Sequence, residues 1–144
     1  MSLRGGMATA ASATSQSQVL VTMFGQTRLA FPVESIRGTL PHGVRDHQNT
    51  VSAYGLEFPL INLRDRFNLS RSDTQEKTQI ILCASGEALG AIEVDDILGL
   101  VKLVRSQIRP LPAHFAGPER EWFQGLFFYQ DTVALLISPA WLLQ

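Results

Sequence analysis

A single cysteine, Cys83, occurs in 144 residues. No intrachain disulfide can form, and the chain suits a reducing compartment, the cytoplasm. His42, His47 and His114 are the only histidines and lie far apart. Without cysteines beside them they lack the close ligand spacing of a zinc site. Neither sign of charge is in surplus: 12 Lys and Arg against 13 Asp and Glu leave a net charge of −1. A nucleic-acid footprint or a polybasic lipid patch needs a strong positive excess, so neither partner is expected. No apolar run approaches the ~20 residues of a membrane-spanning helix. The first eighteen residues lack the apolar centre of a signal peptide. The glycines do not form a phosphate loop ahead of a helix. Ser138 precedes a proline and has no glycine-flanked setting as a nucleophile.

The carboxylates Glu93, Asp95 and Asp96 cluster most densely. A hard cation wants about six or more converging oxygens, and three neighbours in a strand read better as a solvated edge running into a turn capped by Asp95. Cys83 lies within the apolar run IILCA and reads as a small buried hydrophobe. Trp122, Phe127, Phe128 and Trp141 could make a binding face, but strand aromatics are more often core. No catalytic set, metal or cofactor is therefore expected.

What the chain does have is apolar content: 45% of its residues are hydrophobic, enough for one ordinary domain or two small lobes sharing a core. The stretch Tyr54–Leu69 is its most organised segment. Gly55 opens it, and Leu56, Phe58 and Leu60 alternate as the apolar face of a strand. Pro59 belongs at an edge or bulge. Asn62 is a good N-cap, and Asp65 suits the first turn of a short helix. The end of the chain repeats this unit: Val133–Ile137 as strand, Ser138 as cap, Pro139 at the first helical position, then Ala140–Leu143. A second self-match pairs Gly25, Ala30, Val33, Glu34, Ile36, Gly38 and Leu40 with Gly86, Ala91, Val94, Asp95, Ile97, Gly99 and Val101, all 61 positions apart. A fixed offset marks an internal repeat, and two copies indicate a duplicated fold.

In chain order, Met1–Gln18 is polar and reads as a disordered segment. Met7 could be the natural start, with a vector remnant before it. Residues 19–144 read as a single domain of two lobes. Val19–Phe24, a Gly25-Gln26 turn and Arg28–Pro32 form a hairpin; Val33–Ile36 makes a helical turn, and Gly38–Leu40 is extended. Pro41–Thr50 is a polar loop, and Ser70–Lys77 links the lobes. Gln79–Ala84 and Ala88–Val94 form the second hairpin, followed by a helical turn at Asp95–Ile97 and extended Gly99–Val104. Ile108–Gly117 is too rich in proline for continuous sheet. Trp122–Tyr129 and Thr132–Ile137 close the chain as a hairpin. The expected class is all-β with short helices.

Five segments carry a resemblance: VESIRG (Val33–Gly38), YGLEFPLINLR (Tyr54–Arg64), LGAIEVDDILGLVKL (Leu89–Leu103), IRPLP (Ile108–Pro112) and GLFFYQDTVALLISPAWLL (Gly125–Leu143). Together, in this order, they resemble the CheW-like domain, the adaptor that links chemoreceptors to the histidine kinase CheA. The resemblance covers most of Val19–Leu143. It implies two intertwined five-stranded β-barrels, no enzymatic activity and no cofactor. It also implies two protein partners: a chemoreceptor cytoplasmic hairpin received between the lobes, and the kinase's regulatory domain, built on the same fold. The residues it marks for interaction are Val33, Ser35, Ile36, Arg37, Tyr54, Gly55 and Leu56.

Some positions depart from the family's pattern. Tyr54 stands where an arginine is usual, Ser35 where an acidic residue is usual, and Asn62 where an aspartate is usual. Tyrosine lacks the charge and donor fork of a guanidinium. Two alternatives to a chemotaxis adaptor therefore stay open: a CheW-like module serving another signalling or motility machine, and a small barrel that binds a ligand.

Overall fold

The computed structural model describes residues 16–41, 49–67, 78–113, 117 and 119–143. β1 (Gln16–Phe24) and β2 (Thr27–Pro32) form a hairpin, a 3-10 turn follows at Val33–Ser35, and β3 (Ile36–Pro41) leaves it. β4 (Thr50–Ala53) and β5 (Leu56–Pro59) form a second hairpin, closed by helix α1 (Leu63–Phe67). The scheme then runs again. β6 (Gln79–Ser85) pairs with β7 (Ala88–Val94), β8 (Asp96–Val104) leaves, and α2 (Glu119–Trp122) precedes β9 (Phe123–Tyr129), β10 (Thr132–Ile137) and α3 (Pro139–Leu142). Gly25 and Gly86, 61 apart, turn the two leading hairpins at φ of 62° and 61°, a region that only glycine enters without strain. Tyr54-Gly55 and Gln130-Asp131 turn the closing hairpins with positive φ at both positions, the turn geometry that matches the twist of paired strands.

The halves do not fold side by side. One sheet has the order β8-β1-β2-β10-β9, so it takes two strands from the first half and three from the second. The rest is the ladder β3-β6-β7 and the hairpin β4-β5, joined by a parallel bridge between Leu60 and Ala91. That bridge matches the parallel pairing of Leu136 with Ala30 in the first sheet. The second lobe thus repeats the order of the first as β3-β6-β7-β5-β4. Two five-stranded lobes intertwine, as the resemblance implied. Closure of each sheet into a barrel is not completed: no ladder joins β8 to β9 among the described residues. Instead, Arg109 makes a single antiparallel bridge to Leu126 on the outer edge of β9.

Strand alternation sorts the side chains into three cores. Val19, Val21, Ala30, Phe127, Ala134 and Leu136 fill the first lobe. Their counterparts Ile80, Leu82, Ala91, Val51, Phe58 and Leu60 fill the second. The opposite faces of the same strands, with Leu20, Phe24, Phe31, Ile81, Cys83 and Ile92 among them, meet in a shared core between the lobes. Strands buried on both faces explain the near-continuous apolar runs VLV and IILC. Helices α1, α2 and α3 pack at one margin of this core, where Phe67 of α1 lies 5.0 Å from Trp122 and 5.7 Å from Trp141 between ring centroids.

Several sequence expectations change here. β1 begins at Gln16, so Gln16–Gln18 are not disordered: they pair with Val104, Leu103 and Lys102 of β8, a backbone interaction that polar side chains do not reveal. Residues 1–15, most of the Pro41–Thr50 loop, the Ser70–Lys77 link and His114 lie outside the described residues. Asp95–Ile97 is not a helical turn. Asp95 sits at a bend, with its N–H on the Met23 carbonyl at 2.9 Å, and β8 starts at Asp96. Trp122 ends a helix instead of opening β9. Asn62 caps as expected: its Oδ1 accepts the Asp65 N–H at 3.2 Å, and its Nδ2 donates to Asp65 Oδ2 at 2.8 Å. Ser138 makes no side-chain cap bond; its carbonyl alone receives the Leu142 N–H.

Candidate functional site

Seven residues were expected to interact, and they divide between two places. Ser35 is buried, and its hydroxyl donates to the Pro32 carbonyl at 2.7 Å. It therefore fixes the 3-10 turn. Ile36 is half-buried against the shared core. Val33 faces a groove of about 370 Å³, lined also by Val19, Glu34, Ile108, Gln124 and Leu136, at one end of the first lobe.

Arg37, Tyr54, Gly55 and Leu56 lie on strands and the turn of the second lobe. β3 shifts its register against β6 between Ile36, opposite Cys83, and Gly38, opposite Leu82. Arg37 is the extra residue of this bulge, and bulges re-aim the side chain they insert. It is exposed, with Nη1 donating to the Glu34 carbonyl at 2.9 Å. The next residue, Gly38, leaves room for the β4–β5 turn: the Tyr54 hydroxyl lies 2.9 Å from where a Gly38 Cβ would stand. Tyr54 is nevertheless 71% exposed, at φ 55°, and Leu56 is 49% exposed. Arg37, Tyr54 and Leu56 are thus all exposed, on β3 and on the hairpin whose turn lies over Gly38. The bulge and the part played by Gly38 were not foreseen. Sixteen residues separate Gly38 from Tyr54, and no local pattern announces their contact.

The remaining candidates take structural roles. Asp95 is buried, against the expectation of a solvated edge, because its Oδ2 accepts the Gly25 N–H at 2.6 Å. Asp96 accepts its neighbour's N–H, that of Ile97, at 2.9 Å. No group of three or more metal-ligating side chains forms among the described residues. Burial pushes the Cys83 thiol up to about 12, with the positive charge of Arg37 opposing this in smaller part. At neutral pH such a thiol is protonated and a poor nucleophile. Of the aromatics, Phe127 is core, Trp122 and Trp141 join the helix cluster, and Phe128 is exposed with Arg109 5.9 Å from its ring. No described helix is long and apolar enough to cross a membrane.

A duplicated all-β domain with exchanged strands is the class that these features define. The sequence profile of the CheW-like domain matches residues 18–144, and the chain belongs to that family. Among solved structures, the scaffolding protein TtCheW from Thermoanaerobacter tengcongensis is similar in fold, with a TM-score of 0.72 over 85% of this chain and 84% of that one, at 13% identity.

Proposed function

We propose that the chain is a non-catalytic signalling adaptor of the cytoplasm that couples receptors to a CheA-like histidine kinase. The observation that carries this reading is the CheW-family domain over residues 18–144, with Arg37, Tyr54 and Leu56 exposed on it. Exposed Tyr54 and Leu56 on a small adaptor fold suit a protein partner, and interfaces of the standard size bury about 800 Å² on each side. One partner is the kinase's regulatory domain and the other a chemoreceptor hairpin. Calorimetric titration of the chain with each tests the reading. Binding of the kinase domain, weakened by Leu56→Ser, supports it. Binding of neither, together with a saturable thermal shift by a small molecule, favours a ligand-binding role.

A second reading has an observation of its own. Tyr54 and Ser35 replace the family's usual arginine and acidic residue, which favours a CheW-like module serving another signalling or motility machine. Recovery of a kinase without binding to any chemoreceptor hairpin would support that version.

A further inference from the structure

A charged row crosses the first sheet at the turn end of the β1–β2 hairpin. Met23 of β1 pairs with Arg28 of β2 on one side and with Asp96 of β8 on the other. Arg28 in turn stands beside Ala134 of β10. Residues paired across a sheet share a face, and Ala134 belongs to the first lobe's core. Asp96, Met23 and Arg28 therefore lie along the core-lining face, at its end, and all three are half-buried. Two strand spacings, about 10 Å, separate the backbones of Asp96 and Arg28.

Opposite charges flank Met23 here without meeting. Among the described residues Arg28 makes no hydrogen bond and no ion pair, and its Nε is buried without a partner. Its Nη1 and Nη2, also without partners, stay open to solvent. Asp96 accepts the Ile97 N–H on Oδ1 and leaves Oδ2 accessible. A buried donor without an acceptor costs stability, and the scaffold does not demand one. At the offset of 61 positions, the second lobe has Ser35, Ala84 and Leu89 for Asp96, Met23 and Arg28. Ala84 pairs with Leu89 as Met23 pairs with Arg28. Ser35 and Ala84 are buried, and Leu89 packs on the second lobe's core. The twin row is uncharged and closed, whereas the first lobe's row holds a cation, a thioether and a carboxylate within reach of solvent.

We propose that this row binds a free α-amino acid with an apolar side chain, its carboxylate on the Arg28 guanidinium, its ammonium on Asp96 and its side chain against Met23. A guanidinium pairs with a carboxylate through two nitrogens, and a carboxylate accepts from an ammonium. A plain anion would meet repulsion from Asp96 and a plain cation from Arg28, so a molecule carrying both charges suits the pair best. The site uses none of the residues of the adaptor reading and stands independently of it.

The probe is L-leucine, titrated into the full-length 15N-labelled chain and followed by NMR. N-acetyl-L-leucine lacks the ammonium and L-leucinamide lacks the carboxylate; all three are compared at about pH 6.5, where a free α-amine is charged. The expected result is saturable shifts at the amides of Met23, Arg28, Asp96 and Ile97. Leucine should bind about fivefold tighter than either analogue, the ceiling for an exposed ion pair, and its advantage should shrink with salt. Arg28→Leu, which copies the second lobe, should equalise leucine and leucinamide while the urea midpoint holds or rises. Asp96→Asn should equalise leucine and N-acetyl-leucine. No saturable shift at these amides, equal affinities for the three probes, or a preference over leucinamide that survives Arg28→Leu would overturn the proposal. A lower urea midpoint in Arg28→Leu would also sink it, since the arginine would then serve the fold. Kinase-domain capture should be the same for wild type and Arg28→Leu; capture lost in the variant assigns the arginine to a protein interface and removes the amino-acid site.

Discussion

Asn62 and Ser138 hold the same place in the two halves, yet only Asn62 bonds an amide of its helix. Asn62→Ala should lower stability by about 1 kcal/mol, because an orphan N–H loses its acceptor. Ser138→Ala should shift the urea midpoint far less, since no side-chain bond is lost. Cys83 gives a prediction in pH. Its folded pKa, about 12, lies above the ordinary value of 9.0. The unfolded chain therefore releases a proton that the folded chain keeps. The contribution is fully present below about pH 9 and is lost as pH rises toward 12, by up to ~1.4 kcal/mol per unit. The stability advantage of wild type over Cys83→Ala should thus narrow as urea melts move from pH 8 to pH 10.5. At Tyr54 the expected change is in binding. A receptor hairpin suited to arginine leaves an acceptor unpaired against tyrosine, so the wild type should bind it weakly, and Tyr54→Arg should tighten it roughly tenfold in calorimetry.

Among the elements, the hairpins at the outer side of each lobe solve one packing problem in two ways. Phe127 of β9 faces Ala134 of β10, whereas Val51 of β4 faces Phe58 of β5. Each pair is one ring and one smaller side chain, with the ring on opposite strands. Phe127→Val alone should leave a cavity costing about 2–3 kcal/mol, and Ala134→Phe alone should overpack the lobe by about 1–3 kcal/mol. The double exchange, which copies the other lobe, should cost less than the sum when urea midpoints are compared. Elements like these were legible because they rest on local signals: left-handed glycines at Gly25 and Gly86, the apolar runs of β1 and β6, and asparagine ahead of α1. Ser138 misled because cap type does not guarantee cap geometry. Asp95 misled because its acceptor role depends on Gly25, 70 residues away. The interaction surface was legible in its residues but not in its cause, since the bulge at Arg37 comes from a register that only β6 defines. Val33 and Ser35 stand beside Arg37 in sequence, yet one faces the groove and the other is buried.

At the scale of the whole molecule, neither half owns a complete lobe. β3 pairs with β6 and the β4–β5 hairpin bridges to β7 through Leu60 and Ala91, while β1 pairs with β8 and β2 with β10. A chain of residues 16–67 should therefore lack dispersed NMR signals on its own, and adding residues 78–143 should restore them. A dispersed spectrum from the first piece alone would contradict the exchange of strands. The full chain should unfold in one cooperative step, because the shared core draws on both lobes.

The exchange of strands also changes what concentration means for this fold. Two separate halves would have to find each other in solution, and their assembly would weaken on dilution. Joined in one polypeptide, each half meets the other at an effective molarity on the order of millimolar. Twofold symmetry that two identical chains would be bound to keep then becomes optional. Each copy is free to change its exterior without changing the other, and Arg37 at the bulge of one lobe where its twin has the core-packed Leu98 is a difference that a symmetric dimer could not hold.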